Sequence, residues 1–189
     1  NIDWLDIKNM INDKIFINNN LLKEFNNYLM RGYRMRDQKE ILIQDLGDER
    51  EIRRYNKFNV YRRDITYGTP LYFAPYFTRN KRETEGISKF SKILGIITAR
   101  PNDINGFIDN LKEFSKGKDD SEEFIKKWRQ GIKLDKDNIE RTYYLLDDPV
   151  ILNKALLKDN KNSKGWIAHL IPKNRCVGFD EFVKRIMII

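Results

Sequence analysis

Sulfur and imidazole are nearly missing from this chain of 189 residues. Its one cysteine, Cys176, has no partner for an internal disulfide, and a single thiol cannot build a cysteine-rich zinc module. Its one histidine, His169, would carry any imidazole chemistry alone. Glycine-rich phosphate loops are also lacking. Lys116-Gly117-Lys118 and Lys164-Gly165 have no upstream glycines of the P-loop kind, and no GxGxxG or GxSxG string occurs. No apolar run approaches the roughly 18 residues of a spanning helix. There is no basic-then-apolar leader, so the expected location is the cytoplasm, with no membrane partner. Alanine is scarce, 4 residues against 24 Ile and 19 Asn, which reads as the codon bias of an AT-rich genome and makes Arg a better guide than Lys to functional charge. The chain starts at Asn1 without a Met, as expected for a piece of a longer protein.

What is present is apolar and basic. A hydrophobic fraction of 40% with 12% aromatics is enough for a real core and argues against disorder. Lys and Arg number 36 against 28 Asp and Glu, a formal charge of +8 with a pI near 9.4, which points toward a polyanion. The charge is uneven. Residues 1–30 carry −1, 31–63 +4, 64–78 −1, 79–100 +4, 101–148 −3 and 149–189 +5.

Periodicity predicts the elements. Residues 14–17 read as a short strand, and a helix capped by Asn20 runs to about Met30. EILIQDL (40–46) reads as a strand, 48–57 as a charged turn or short helix, and 58–61 as a second strand. PLYFAPYFT (70–78) is aromatic and β-prone, RNKRETEG (79–86) is a polar loop, and ISKFSKILGIITA (87–99) is a long strand bent near Gly95. A helix at 102–116 follows, then one at 119–132 opened by an Asp119/Glu122 capping box. Strands are expected at 141–146, 150–157 and 166–171, and a last helix at 181–187 capped by Asp180. The expected architecture is α+β: a small mixed β-barrel, 36–189, with a helical pair inserted at 102–132 and helices at both ends. Residues 1–35 read as an N-terminal helical segment or the tail of an upstream domain.

Catalytic signals are thin. A metal-dependent nuclease needs carboxylates and a Lys around a divalent cation. Asp6-Ile7-Lys8 and Asp37-Gln38-Lys39 have the [D/E]-x-K spacing, but neither follows a second acid in a predicted buried strand. Paired acids such as Asp147-Asp148 read as turn and cap residues. No catalytic residue, metal ligand or cofactor site is assigned. The stronger signal is cations interleaved with aromatics. Tyr72, Phe73, Tyr76 and Phe77 run into Arg79, Lys81 and Arg82; Trp166 precedes His169, Lys173 and Arg175; and Arg53, Arg54, Tyr55, Tyr61, Arg62 and Arg63 form a third group. Cations replace counterions at phosphates, and flat rings stack exposed bases at about 1–3 kcal/mol each.

On these residues the chain resembles the PUA-like superfamily, within it the EVE, ASCH and YTH group. The aromatic strand, polar loop and GISKFSKILGII strand of 70–99 are similar to that barrel's core. RTYYLLDDPVILNKALL (141–157) and GWIAHLIPKNRCVGFDEFVKRI (165–186) resemble its later strands and closing helix. The resemblance covers about residues 40–189. The helical pair at 102–132 departs from a minimal member. The resemblance implies recognition without catalysis: nucleic-acid binding, DNA ahead of RNA, with a flipped or modified base held in an aromatic pocket. The pocket residues would be Tyr72, Tyr76, Trp166 and His169, and the phosphate-binding residues Arg79, Lys81, Arg82, Lys173 and Arg175. It also implies an upstream nuclease or helicase domain in a restriction-modification or defence protein. The alternatives are a small metal-dependent nuclease and a protein-interaction domain with a basic surface.

Overall fold

The computed structural model describes residues 41–63, 70–78, 83–157 and 176–187. The strand and helix expected before residue 31 and the strand expected at 166–171 lie outside the described residues.

Within them the order is β1 (Ile41–Leu46), α1 (Glu49–Phe58), β2 (Val60–Arg63), β3 (Tyr72–Phe77), β4 (Ile87–Ala99), a 3₁₀ turn (Pro101–Phe107), α2 (Ile108–Phe114), α3 (Ser121–Ile132), β5 (Arg141–Leu146), β6 (Val150–Leu156), β7 (Cys176–Val177) and α4 (Phe179–Met187). The strands form one mixed sheet in the order β2-β5-β4-β3-β1-β7, with β6 also paired to β4. β1 and β3 are parallel, Leu42 opposite Phe73 and Leu46 opposite Phe77, and the connection from β1 to β3 carries α1 and β2.

β5 and β6 act as one long antiparallel partner for β4. The register runs from Ala99 opposite Arg141 to Lys89 opposite Ile151. Asp147-Asp148-Pro149 interrupts the partner strand, where Pro149 has no N–H to give. Asp147 keeps the ladder going by donating its N–H to the Lys92 carbonyl at 2.9 Å. The bend expected at Gly95 is present as a register shift between Ile93 and Gly95. A Cβ on Gly95 would overlap the Phe114 ring, so glycine there lets α2 lie directly on the strand.

The expected barrel is not found: among the described residues the sheet is not closed, and β2 and β7 stand at opposite ends of the strand order. It curls without closing. Tyr61 on β2 stacks on Phe73 of β3 at 4.2 Å and 18°, although two strands separate theirs in the sheet order. The hollow is filled by Leu42, Leu46, Phe73, Phe77, Tyr144 and Leu146, with Ile52 and Tyr55 supplied by α1. A second core, on Trp128, Ile104, Leu111, Ile132 and Tyr143, packs α2 and α3 onto β2, β4 and β5. α4 sets Phe179 against Tyr72 and Phe182 against Phe90. The helical pair is therefore seated on the sheet by its own apolar stripe, as the 104/111 and 124/128/132 spacing requires.

Two helix starts differ from expectation. The helix expected at 102–116 begins as a 3₁₀ turn containing Gly106, and α3 starts at Ser121 rather than at 119. Asp120, not Asp119, is its N-cap, and it makes no side-chain cap bond. No helix among the described residues is long and apolar enough to cross a membrane.

Candidate nucleic-acid interface

The aromatic strand β3 is more buried than period-2 alternation predicts. Phe73, Ala74, Pro75, Tyr76 and Phe77 are all buried, because β3 is a central strand with residues packed against both faces. Phe73 and Phe77 point into the hollow beside Tyr55. Tyr72 and Tyr76 share the other face. Tyr72 is half-buried, with Phe90 at 6.2 Å edge-on and Phe179 at 5.0 Å. Tyr76 is 1% exposed and donates its hydroxyl to Glu85 Oε1 at 3.2 Å. Four steps along the strand put their Cα atoms about 13 Å apart.

The loop after β3 leaves and returns at one point. Phe77 and Gly86 exchange both backbone hydrogen bonds at 3.0 Å, and Gly86 at φ +114 makes the turn possible. The loop's two acids are held by the body. Glu83 accepts from Asn56 of α1 and lies 3.4 Å from Lys89 Nζ, while Glu85 takes the Tyr76 hydroxyl. Lys89 in turn stands over the Phe77 ring at 5.0 Å and the Tyr55 ring at 5.9 Å. Arg79, Lys81, Arg82, Trp166, His169, Lys173 and Arg175 lie outside the described residues, as do Asp6, Lys8, Asp37 and Lys39.

The third group, Arg53 to Arg63, divides. Tyr55 and Tyr61 are core residues. Burial pushes the Tyr61 phenol up to about 12, against the opposing pull of Arg63, whose guanidinium lies 3.4 Å from the hydroxyl. Burial raises Tyr55 further, and its hydroxyl is shared with Ser91 at 3.0 Å. Arg54 is fully buried. Its Nε donates to the Gly131 carbonyl at 3.0 Å, its Nη2 to Asp135 Oδ1 at 2.7 Å, and its Nη1 to Glu51. Arg62 joins the same two acids, at 2.9 Å from Asp135 and 3.4 Å from Glu51. Tyr143 donates to Asp135 Oδ2 at 2.9 Å, and burial first, then Asp135, raises its phenol. This is a buried ionic junction of α1, β2, β5 and the turn after α3. It corrects the reading of Arg54 and Arg62 as ligand-binding cations: both are committed to holding elements together.

Among the described residues no cluster of three or more His, Cys, Asp or Glu is placed to hold a metal ion. The chain matches no protein-family model and no curated protein. The solved structures this chain is similar to include ASCH from Zymomonas mobilis. One has a TM-score of 0.45 and 14% identity, covering 80% of this chain and 96% of that one. A tyrosine-to-phenylalanine variant of the same protein has a TM-score of 0.32 and 15% identity, over 60% of this chain and 76% of that one. A serine-to-alanine variant has a TM-score of 0.32 and 16% identity, over 60% and 75%.

Proposed function

We propose that this chain is a nucleic-acid-binding recognition module, with DNA ahead of RNA as ligand, working within a larger restriction or defence nuclease or helicase. The observation that carries the reading is the loop after β3. Its sequence carries Arg79, Lys81 and Arg82 directly after an aromatic strand, against two acids, of which Glu83 is held by Asn56 and Lys89 and Glu85 accepts the Tyr76 hydroxyl. Lys173 and Arg175 add phosphate contacts. Tyr72 stacks a flipped or modified base together with Trp166 and His169, and Tyr76 contributes by fixing Glu85 at the loop's end. A pocket of this kind must return the few kcal/mol that flipping costs.

The test is direct binding of labelled duplex and single strand at about 50 mM salt. Binding that weakens as salt rises supports the reading; no binding at low salt refutes it. Trp166→Ala should weaken a modified-base duplex far more than a plain one, and equal weakening removes the pocket.

A further inference from the structure

We infer that the outer face of α1 is a second phosphate-binding surface, formed by Arg50, Arg53 and Lys57, which grips the nucleic-acid backbone beside the loop after β3. This rests on the nucleic-acid reading above and adds residues to it. At about 100° per residue these three fall within roughly 60° of one another, opposite the buried Ile52, Tyr55 and Phe58. All three are exposed, and none has a carboxylate partner among the described residues. Lys57 has only the Phe58 ring, at 5.6 Å.

Elsewhere several cations have an acid one turn away: Lys112 of α2, Lys116 just beyond it and Lys127 of α3 stand 3.6, 3.9 and 2.9 Å from Asp109, Glu113 and Glu123. Lys126 of α3 and Lys184 of α4 are exposed without a carboxylate partner among the described residues, but neither belongs to a stripe of three. The α1 stripe instead places like charges at i, i+3 and i+7, an arrangement that opposes helix formation. Arg50 also sits in the first turn, where the helix dipole favours acids. A stripe that works against its own helix and is left unneutralised is explained by a polyanion that completes it. Its three charges span about 10.5 Å of helix axis, close to three phosphate-to-phosphate steps along one duplex strand at about 3.4 Å of axial rise each.

The platform is rigid and correctly placed. Asp48 caps the helix by accepting from Arg50 and Glu51 N–H, Asn59 ends it in the left-handed conformation, and buried Arg54 pins it to Gly131 and Asp135. Asn56, between Arg53 and Lys57 in sequence, donates to Glu83, which ties α1 to the returning end of the loop after β3.

The test compares the full chain, R50Q/R53Q/K57Q, and a charge-matched K112Q/K116Q/K126Q variant. Each is titrated against duplex and single strand from about 50 to 200 mM salt. Three lost contacts should flatten the log–log slope by about 2.7 on duplex and about 2.1 on single strand. The stripe variant should then lose about 40-fold less duplex affinity across that range than the full chain does. The α2/α3 variant should keep the parent slope, and the stripe variant should keep or raise the thermal midpoint. If the parent binds and the stripe variant keeps its slope, the stripe is not a contact surface. Equal flattening in both variants would reduce it to net charge. Stripe-dependent binding to phosphatidylserine vesicles without nucleic-acid binding would make it a membrane surface and overturn the inference. A parent that binds no nucleic acid at all removes the function proposed above, and the stripe's role with it.

Discussion

Arg53 and Arg54 are neighbours in sequence with opposite fates, and exchanging each for Met measures the difference. Arg54→Met keeps most of the stem volume, so the cavity left is small. It removes three charge-assisted bonds, two to the carboxylates of Asp135 and Glu51 and one to the Gly131 carbonyl. Asp135 would remain 1% exposed, held only by Arg62 and the Tyr143 hydroxyl, with Arg141 at 3.9 Å. Breaking a buried ion pair from one side costs about 3–5 kcal/mol, since a desolvated charge is left behind. For a chain of this length that lowers the thermal midpoint by about 6–20 °C. Arg53→Met, on the exposed face, should stay within about 0.5 kcal/mol. Urea and thermal unfolding of the two variants read both numbers. Adding Asp135→Asn to Arg54→Met should cost much less than the sum of the two single changes, because each single change already breaks the same junction. An Arg54→Met variant within about 1 kcal/mol of the parent, or as stable as Arg53→Met, would refute the junction.

Other outcomes follow from the same packing. Tyr61 keeps its proton to about pH 12 when folded, while an unfolded Tyr releases it near 10. Its share of stability, roughly 2–3 kcal/mol, is therefore complete below pH 10 and lost as pH rises through 12. Phenolate absorbance should show Tyr55, Tyr61 and Tyr143 ionising only with loss of circular dichroism; smooth titration near pH 10 of all 9 tyrosines in a still-folded chain would contradict this. Gly95→Ala drives a methyl into the Phe114 ring and should cost about 1–3 kcal/mol, and a Gly95→Ala/Phe114→Ala double variant should cost less than the sum of the two single changes. Trp128→Phe leaves the Leu146 carbonyl without its 3.1 Å indole donor and should lower the unfolding free energy by about 1–3 kcal/mol, read as a lower urea midpoint at unchanged m; an unchanged midpoint would show that the bond is not needed.

Much of the sheet was legible because strand signals here are local. ILIQDL, RTYYLL and the 13-residue run from Ile87 carry β-branched and aromatic residues between clear breaks, and Gly95 announced the bend. Closure was not legible. Whether a curled sheet meets its own edge depends on pairings between residues far apart in sequence, which no local pattern encodes. The two-residue strand β7 is too short to carry a periodic signal.

On α1 the outward stripe was within reach. Ile52, Tyr55 and Phe58 define the buried arc, and the same arithmetic places Arg50, Arg53 and Lys57 opposite it. Reading 48–57 as a turn or short helix obscured that pattern. Arg54 lies at the edge of the buried arc, and its commitment depends on Asp135, 81 residues later. Only the fold brings that partner to it. The aromatics misled in the same direction: Tyr55, Tyr61 and Tyr76 look like stacking platforms in sequence, but Tyr55 of α1 and Tyr61 of β2 fill the hollow of the curled sheet, and Tyr76 is buried on the central strand β3.

The central claim is that this chain binds nucleic acid through phosphate contacts on the loop after β3 and on α1. The most direct measurement is the salt dependence of duplex affinity for the full chain. Three loop cations, Lys173, Arg175 and three stripe cations predict a log–log slope of about −7. A slope near zero, or no binding at about 50 mM salt, would contradict the account.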